Sequence, residues 1–239
     1  DPCFPRWFNA AEDCTPTQLW QTLRKMRADF VTIPHQLADR GNVPVDFGHH
    51  DEAAQPVAEI FQGRGSYECR GCLRQAAKSI PGYFLHDAWA RGLVVGVIAS
   101  PDHYGGLGKA AVYAPELTPA ALLEALRARR CYGTTGAKIF VDFRVDDHFM
   151  GEVGPAPGDR PVRIAVRVDA PAPLRAVEIL RNEQTIFRAE PRGTRCTFSY
   201  TDRAPGGPIR YYLRVIQRDG EMAWTSPVWL GRPAGEVGR

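Results

Sequence analysis

The chain has 239 residues, 44% hydrophobic and 24% charged, the composition of an ordinary folded protein with room for one large or two modest domains. Its formal net charge of +3 comes from 30 Lys and Arg set against 27 Asp and Glu, spread along the chain with no basic block, so no nucleic-acid partner is indicated. No apolar run approaches the ~20 residues that a membrane-spanning helix needs.

The chain starts Asp1-Pro2, without Met or a signal peptide, and so reads as a processed or excised piece. Localisation is not legible. In chain order, Thr15-Pro16-Thr17 predicts a helix start: a hydroxyl cap, Pro in the first turn, then Leu19, Trp20 and Leu23 at helical spacing up to Met26. Residues 30–33 form a β-rich run that ends in Pro34-His35. Residues 56–61 predict another short strand, and residues 63–82, rich in Gly, Cys, Arg and Tyr, a long loop. A helix over 85–91, stopped by Gly92, leads into a strand over 93–99. Gly105-Gly106-Leu107-Gly108 follows and reads as a flexible loop, since it does not open a helix as a phosphate-binding glycine motif does. Thr118-Pro119 caps a further helix with Leu122, Leu123 and Leu126 on one face.

Alternating strands and helices predict a parallel sheet or barrel up to about residue 150. The pattern then changes. Gly151 to Arg160 is a Gly/Pro-rich connector, and the runs 162–168, 177–181, 196–200 and 211–216 alternate with period two. That predicts an antiparallel, immunoglobulin-like sandwich over residues 151–239.

Of the six cysteines, Cys69 and Cys72 form a Cys-x-x-Cys pair with no second ligand pair nearby, and are expected to be free thiols in a loop, with a disulfide or a metal as the other readings. His49-His50-Asp51 reads as solvated surface, and His86 and His148 as structural. Trp224 and Trp229 read as strand aromatics packed into the sandwich core or against the preceding domain, with a stacking platform for a ligand as the other reading. Glu59 lies inside a strand, either facing outward or buried beside a site.

The candidate site rests on strand ends: His35 after the first run, Gln62 after the second, adjacent Asp102 and His103 after the third. A carboxylate oxygen and imidazole nitrogens suit a divalent cation, and three such ligands plus water make a catalytic metal site. Arg64 and Arg70, in the loop, are candidates for holding phosphate oxygens of a substrate.

Ile33-Pro34-His35 and Ile98-Ala99-Ser100-Pro101-Asp102-His103 resemble the third and last metal-binding motifs of the PHP (polymerase and histidinol phosphatase) superfamily. The stretches 57–68, 125–136 and 223–229 are similar to those of an uncharacterised bacterial branch of it. The resemblance implies that residues 1–150 are the C-terminal part of a (β/α)7-type barrel. It implies His35, Asp102 and His103 as ligands of zinc, manganese or iron. It also implies a metal-activated water that hydrolyses a small-molecule phosphoester. Two departures stand out: Asp102 and His103 are adjacent where the superfamily has Asp-x-His, and no His-x-His is present. The chain alone is therefore expected to be an inactive fragment. The alternative is a non-catalytic binding module in which the sandwich does the binding.

Overall fold

The computed structural model describes residues 15–41, 44–103, 107–204 and 206–232. Along the chain run α1 (Pro16–Lys25), β1 (Val57–Gln62), β2 (Gly65–Ser66), α2 (Leu85–Ala90), β3 (Gly96–Ala99), β4 (Lys109–Val112), α3 (Pro119–Arg127), β5 (Cys131–Thr134), β6 (Phe140–Val145), β7 (His148–Phe149) and β8 (Val153–Gly154). They continue with β9 (Val162–Asp169), β10 (Leu174–Arg181), β11 (Gln184–Ala189), β12 (Arg195–Asp202), β13 (Ile209–Gln217), β14 (Met222–Thr225) and β15 (Val228–Leu230). None of the described helices is long and apolar enough to cross a membrane.

The strands form three sheets. A three-stranded sheet has the order β2-β1-β3, with β1 and β3 parallel. An eight-stranded sheet runs β11-β10-β13-β14-β5-β4, with β15 joined to β13 and β8. A four-stranded sheet runs β12-β9-β6-β7. Strands from before residue 150 thus hydrogen-bond into both of the larger sheets.

This overturns the expected (β/α)7-type barrel. The described residues form no barrel: only β1 and β3 make the parallel pair of a βαβ unit, and the strands that follow pair antiparallel except β8, which lies parallel to β15. Residues 30–33, expected as a strand, are extended but unpaired in a ladder; Thr32 donates one backbone bond, to Ala54, at 2.7 Å. The helix start at Thr15 holds, with the Thr15 hydroxyl accepting from the Gln18 amide and the Gln18 side chain reaching back to the Thr15 N–H.

The central strands of the eight-stranded sheet are buried on both faces, while β4 and β11 at its ends are partly exposed. In β13, Tyr211, Leu213 and Val215 pack toward the four-stranded sheet with Val141, Phe143, Ile164 and Val166. Tyr212 and Ile216, one residue out of phase, pack toward the N-terminal layer with Tyr67, Trp89 and Val97. Trp224 and Trp229 join that second core, so they pack rather than offer a stacking platform. β9, by contrast, covers one face only and keeps a strict buried–exposed alternation.

Two-sided burial leaves Arg214, on the same face as Tyr212, to be neutralised inside the protein. Its Nε donates to Glu178 Oε2 at 2.7 Å from the neighbouring strand, and its Nη1 to Glu68 Oε1 at 2.8 Å from the N-terminal layer. Glu68 has no solvent exposure. It also accepts from Tyr212 Oη at 2.7 Å and Trp224 Nε1 at 2.8 Å. His86 Nε2 lies 2.8 Å from the same Tyr212 hydroxyl.

Burial lowers the His86 pKa to about 4, helped by the nearby Arg210 and Arg214 charges. Between about 4 and its ordinary 6.5, the unfolded chain binds a proton that the folded chain refuses, so stability rises with pH through this window and is lost as pH falls. The expected loss on going from pH 7 to pH 4 is roughly 2–3 kcal/mol from this group. His86→Gln is expected to flatten that part of the pH profile in urea unfolding. Trp224→Ala is expected to cost about 3–5 kcal/mol, by cavity formation in the second core. The control is Leu117→Ala: at 90% exposure it is expected to change stability by less than about 0.5 kcal/mol.

Candidate functional site

The parallel pair places its polar groups at one end. Glu59 sits within β1, which shifts register between Glu59 and Phe61. The segment before it runs alongside, with the Glu59 N–H donating to the Pro34 carbonyl at 3.3 Å. That brings His35 over the strand, where its Nδ1 lies 2.8 Å from Glu59 Oε2. The same oxygen accepts from the Gln36 amide at 3.2 Å, and Ser100, just beyond β3, donates its hydroxyl to Glu59 Oε1. Glu59 is therefore the buried alternative of the two its sequence left open: a carboxylate 2% exposed, with a donor on each side.

Asp102 follows β3 in a left-handed conformation, φ 62°, which an Asp adopts at low cost. Its Oδ1 lies 3.6 Å from His35 Nε2 and 3.6 Å from His103 Nε2. Its Oδ2 lies 3.1 Å from Arg64 Nη1, and Arg64 Nε is 3.6 Å from Asp39 Oδ2. Asp102 is largely buried, while His35 and His103 keep 45% and 74% of their side chains exposed, so the nitrogens face a ligand-accessible surface. Gly108 closes the loop that follows: a side chain there would meet the Ser100 carbonyl at 2.0 Å.

The structure brings together His35, Asp102, His103 and Arg64. It adds Glu59 and Asp39, which the sequence did not assign to the site. Arg70 lies exposed in the Cys69–Cys72 turn, and no hydrogen bond or ion pair described for the cluster includes it. Gly105 and Gly106 lie outside the described residues. Beside Arg64 a cleft of about 500 Å³ is lined by Asp39, Gly41, Arg64, Ala76, Ala77 and Lys78.

The donor set fits a divalent cation in part. Each imidazole Nε2 lies 3.6 Å from Asp102 Oδ1, though the three donors are not drawn within 4.8 Å of one another as a closed ligand set would be, and Glu59 on the far nitrogen of His35 is the carboxylate–histidine arrangement that orients a metal ligand. Arg64 already balances the charge of Asp102, however, so an ion would share that carboxylate with a guanidinium.

The remaining sequence candidates are structural. His49 Nδ1 is 3.1 Å from the Thr17 hydroxyl, and Asp51 pairs with Arg24 and accepts from the Ala53 and Ala54 amides. His50, expected at the surface, is largely buried, and that burial lowers its pKa. His148 Nδ1 lies 3.6 Å from Glu152 Oε2. Cys69 and Cys72, expected as free thiols, form a disulfide.

No family model matches the chain. An uncharacterized protein of Chlamydia pneumoniae is 32% identical over 188 residues, which cover 71% of this chain and 30% of that protein. Uncharacterized proteins of Chlamydia trachomatis and Chlamydia muridarum are each 37% identical over 139 residues, 52% of this chain and 22% of theirs. The chain thus spans less than a third of the length of these curated relatives. Among solved structures, the fibronectin(III)-like modules of Clostridium thermocellum CbhA align at 15% identity and a TM-score of 0.26, over 36% of this chain and 91% of that one. Neither the fold nor these relatives supports the expected hydrolase and barrel assignments.

Glu59→Ala removes the acceptor of the Ser100 hydroxyl, the Gln36 amide and His35 together, and is expected to cost about 1–3 kcal/mol in chemical denaturation. His103→Ala, at an exposed site, is expected to change stability by less than about 0.5 kcal/mol.

Proposed function

We propose that this chain is a non-catalytic binding module of a longer protein, and that its ligand-holding end is the polar cleft where β1 and β3 stop. The observation that carries this reading is the convergence of His35, His103 and Arg64 on the single carboxylate of Asp102. Such a grouping serves as one half of a binding site. The imidazoles and Asp102 hold a divalent ion, zinc, manganese or iron, and Arg64 with Lys78 along the adjoining cleft takes the negative charge of a small anionic ligand. A bound ion supplies Lewis acidity toward such an anion. The other residues orient: Glu59 holds the His35 ring, and Ser100 holds Glu59.

Isothermal titration of the chain with Zn2+ and Mn2+ tests the reading. Binding is expected at one site, lost in His35→Ala and weakened about 10–100-fold in Glu59→Gln, which keeps the side chain's shape but removes the charge that orients His35. Undiminished binding in His35→Ala would remove the proposed site. Metal-dependent release of phosphate from a phosphoester, by the chain or by the longer protein, would replace the binding reading with a hydrolytic one.

A further inference from the structure

A second group of ligand-type side chains lies on the other side of the N-terminal layer, against β13. The donor atoms of Glu68, Cys69 and Cys72 all lie within 4.8 Å of one another. The sequence argued against zinc here because no second ligand pair follows the Cys-x-x-Cys. The third donor is instead the residue immediately before the pair, whose carboxylate is fixed in place by the core. As the structure stands, the two sulfurs are joined in a disulfide.

We propose that reduction converts this group into a binding site for one thiophilic divalent cation, zinc by its donor chemistry, held by the Cys69 and Cys72 thiolates, a Glu68 oxygen and water. Three observations carry it. The first is the turn itself: the Cys72 amide donates to the Cys69 carbonyl at 3.4 Å, so both sulfurs leave one tight turn, as in half of a zinc-binding motif. Bonds of about 2.3 Å to a tetrahedral zinc set the two sulfurs about 3.8 Å apart, a small parting once the disulfide is broken. The second is the availability of Glu68. Its Oε1 is occupied by Tyr212 and Arg214, whereas Oε2 accepts one hydrogen bond, from Trp224, and retains a lone pair.

The third is charge. Glu68 and Glu178 are matched by Arg214 and Arg188, with Arg214 bridging both carboxylates and Arg188 on Glu178. Arg214 Nη1 also reaches Cys72 Sγ, at 4.0 Å. Arg188 also pairs with the exposed Glu190, so neither guanidinium has charge to spare, and two new thiolates would add a double negative charge beside a buried carboxylate. A divalent cation cancels that charge and a monovalent one does not. Both sulfurs are half-buried, so reductant and ion have access.

The redox step balances with a phosphine as reductant. The phosphorus attacks one sulfur, the S–S bond breaks and its electron pair leaves on the other sulfur. Water then supplies the oxygen of the phosphine oxide and the two protons of the thiols. Each thiol gives up its proton to solvent when the ion binds.

The test uses the full chain, treated with a water-soluble phosphine without oxygen and titrated with Co2+ as the spectroscopic probe. A thiolate-to-cobalt charge-transfer band is expected, saturating at one equivalent and displaced by Zn2+. It is expected to be missing from the unreduced chain, missing from reduced Cys72→Ser, and intact in His35→Ala. The last result separates this site from the imidazole–carboxylate cleft, which holds no sulfur. Cys72→Ser leaves Glu68 and its partners in place, and an unchanged far-ultraviolet spectrum reports that it folds. Three results would overturn the proposal: no band in reduced wild type, a band that survives in Cys72→Ser, or thiols at 69 and 72 that alkylation and mass spectrometry find still oxidised after the phosphine.

Discussion

A carboxylate with no exposure to water holds this fold together. Glu68 leaves the N-terminal layer and is met by three donors from the central sheet: Tyr212, Arg214 and Trp224. A charge taken from water is tolerated only when its partners and hydrogen bonds are complete, and removing one partner of such a pair costs about 3–5 kcal/mol. Apolar packing between Trp89, Tyr212 and Trp224 supplies much of the adhesion between layers, but packing is non-directional. The Glu68 bonds fix where the layers meet, because each donor sits at a set position on β13 or β14. Arg214 carries the constraint onward to Glu178 on β10, so one charged chain crosses from the small sheet into the large one.

That docking positions the candidate site. β3 lies against the large sheet, and its outer edge is satisfied by side chains: Ser226 Oγ accepts from the Val97 amide at 2.9 Å, and Cys131 Sγ donates to the Val97 carbonyl at 3.5 Å. With β3 held there and β1 paired beside it, Ser100 and Asp102 emerge next to Glu59 and His35. The site is therefore made at the end of a paired set of strands, and its exposed members, His35 and His103, are the ones turned toward solvent. Asp102 is the hinge of the arrangement because three side chains of positive or proton-sharing character address its two oxygens.

Much of the local structure is legible in the residues. The Thr15 and Thr118 caps, the strict alternation of β9 and the strand-end placement of Asp102 all follow from short-range chemistry. The arrangement of layers does not. Residues 30–33 have strand-forming side chains but find no ladder partner. β4, with its small residues Ala110 and Ala111, carries almost no periodic signal, yet it pairs because β5 offers an edge. The near-continuous apolar run of β13 signals burial on two faces, and the second face is covered by residues from the start of the chain. The alternating order of early strands and helices suggests a barrel only because it does not reveal that β4 to β7 join the later strands. Glu68 gives no sequence signal at all: its three partners lie 144 to 156 positions away. His35 and Asp102 were legible because each closes an extended apolar run, whereas Glu59 needed the structure to decide which way it faces.

In the proposed function, His35, Asp102 and His103 act as donors to one ion. Anomalous diffraction at the zinc edge from crystals of the chain grown with zinc tests this most directly. The expected result is a peak bonded to His35 Nε2, His103 Nε2 and an Asp102 oxygen at about 2.0–2.2 Å, with Arg64 turned from Asp102 toward the cleft. A map in which zinc scatters elsewhere, while Arg64 keeps its pair with Asp102, would contradict it.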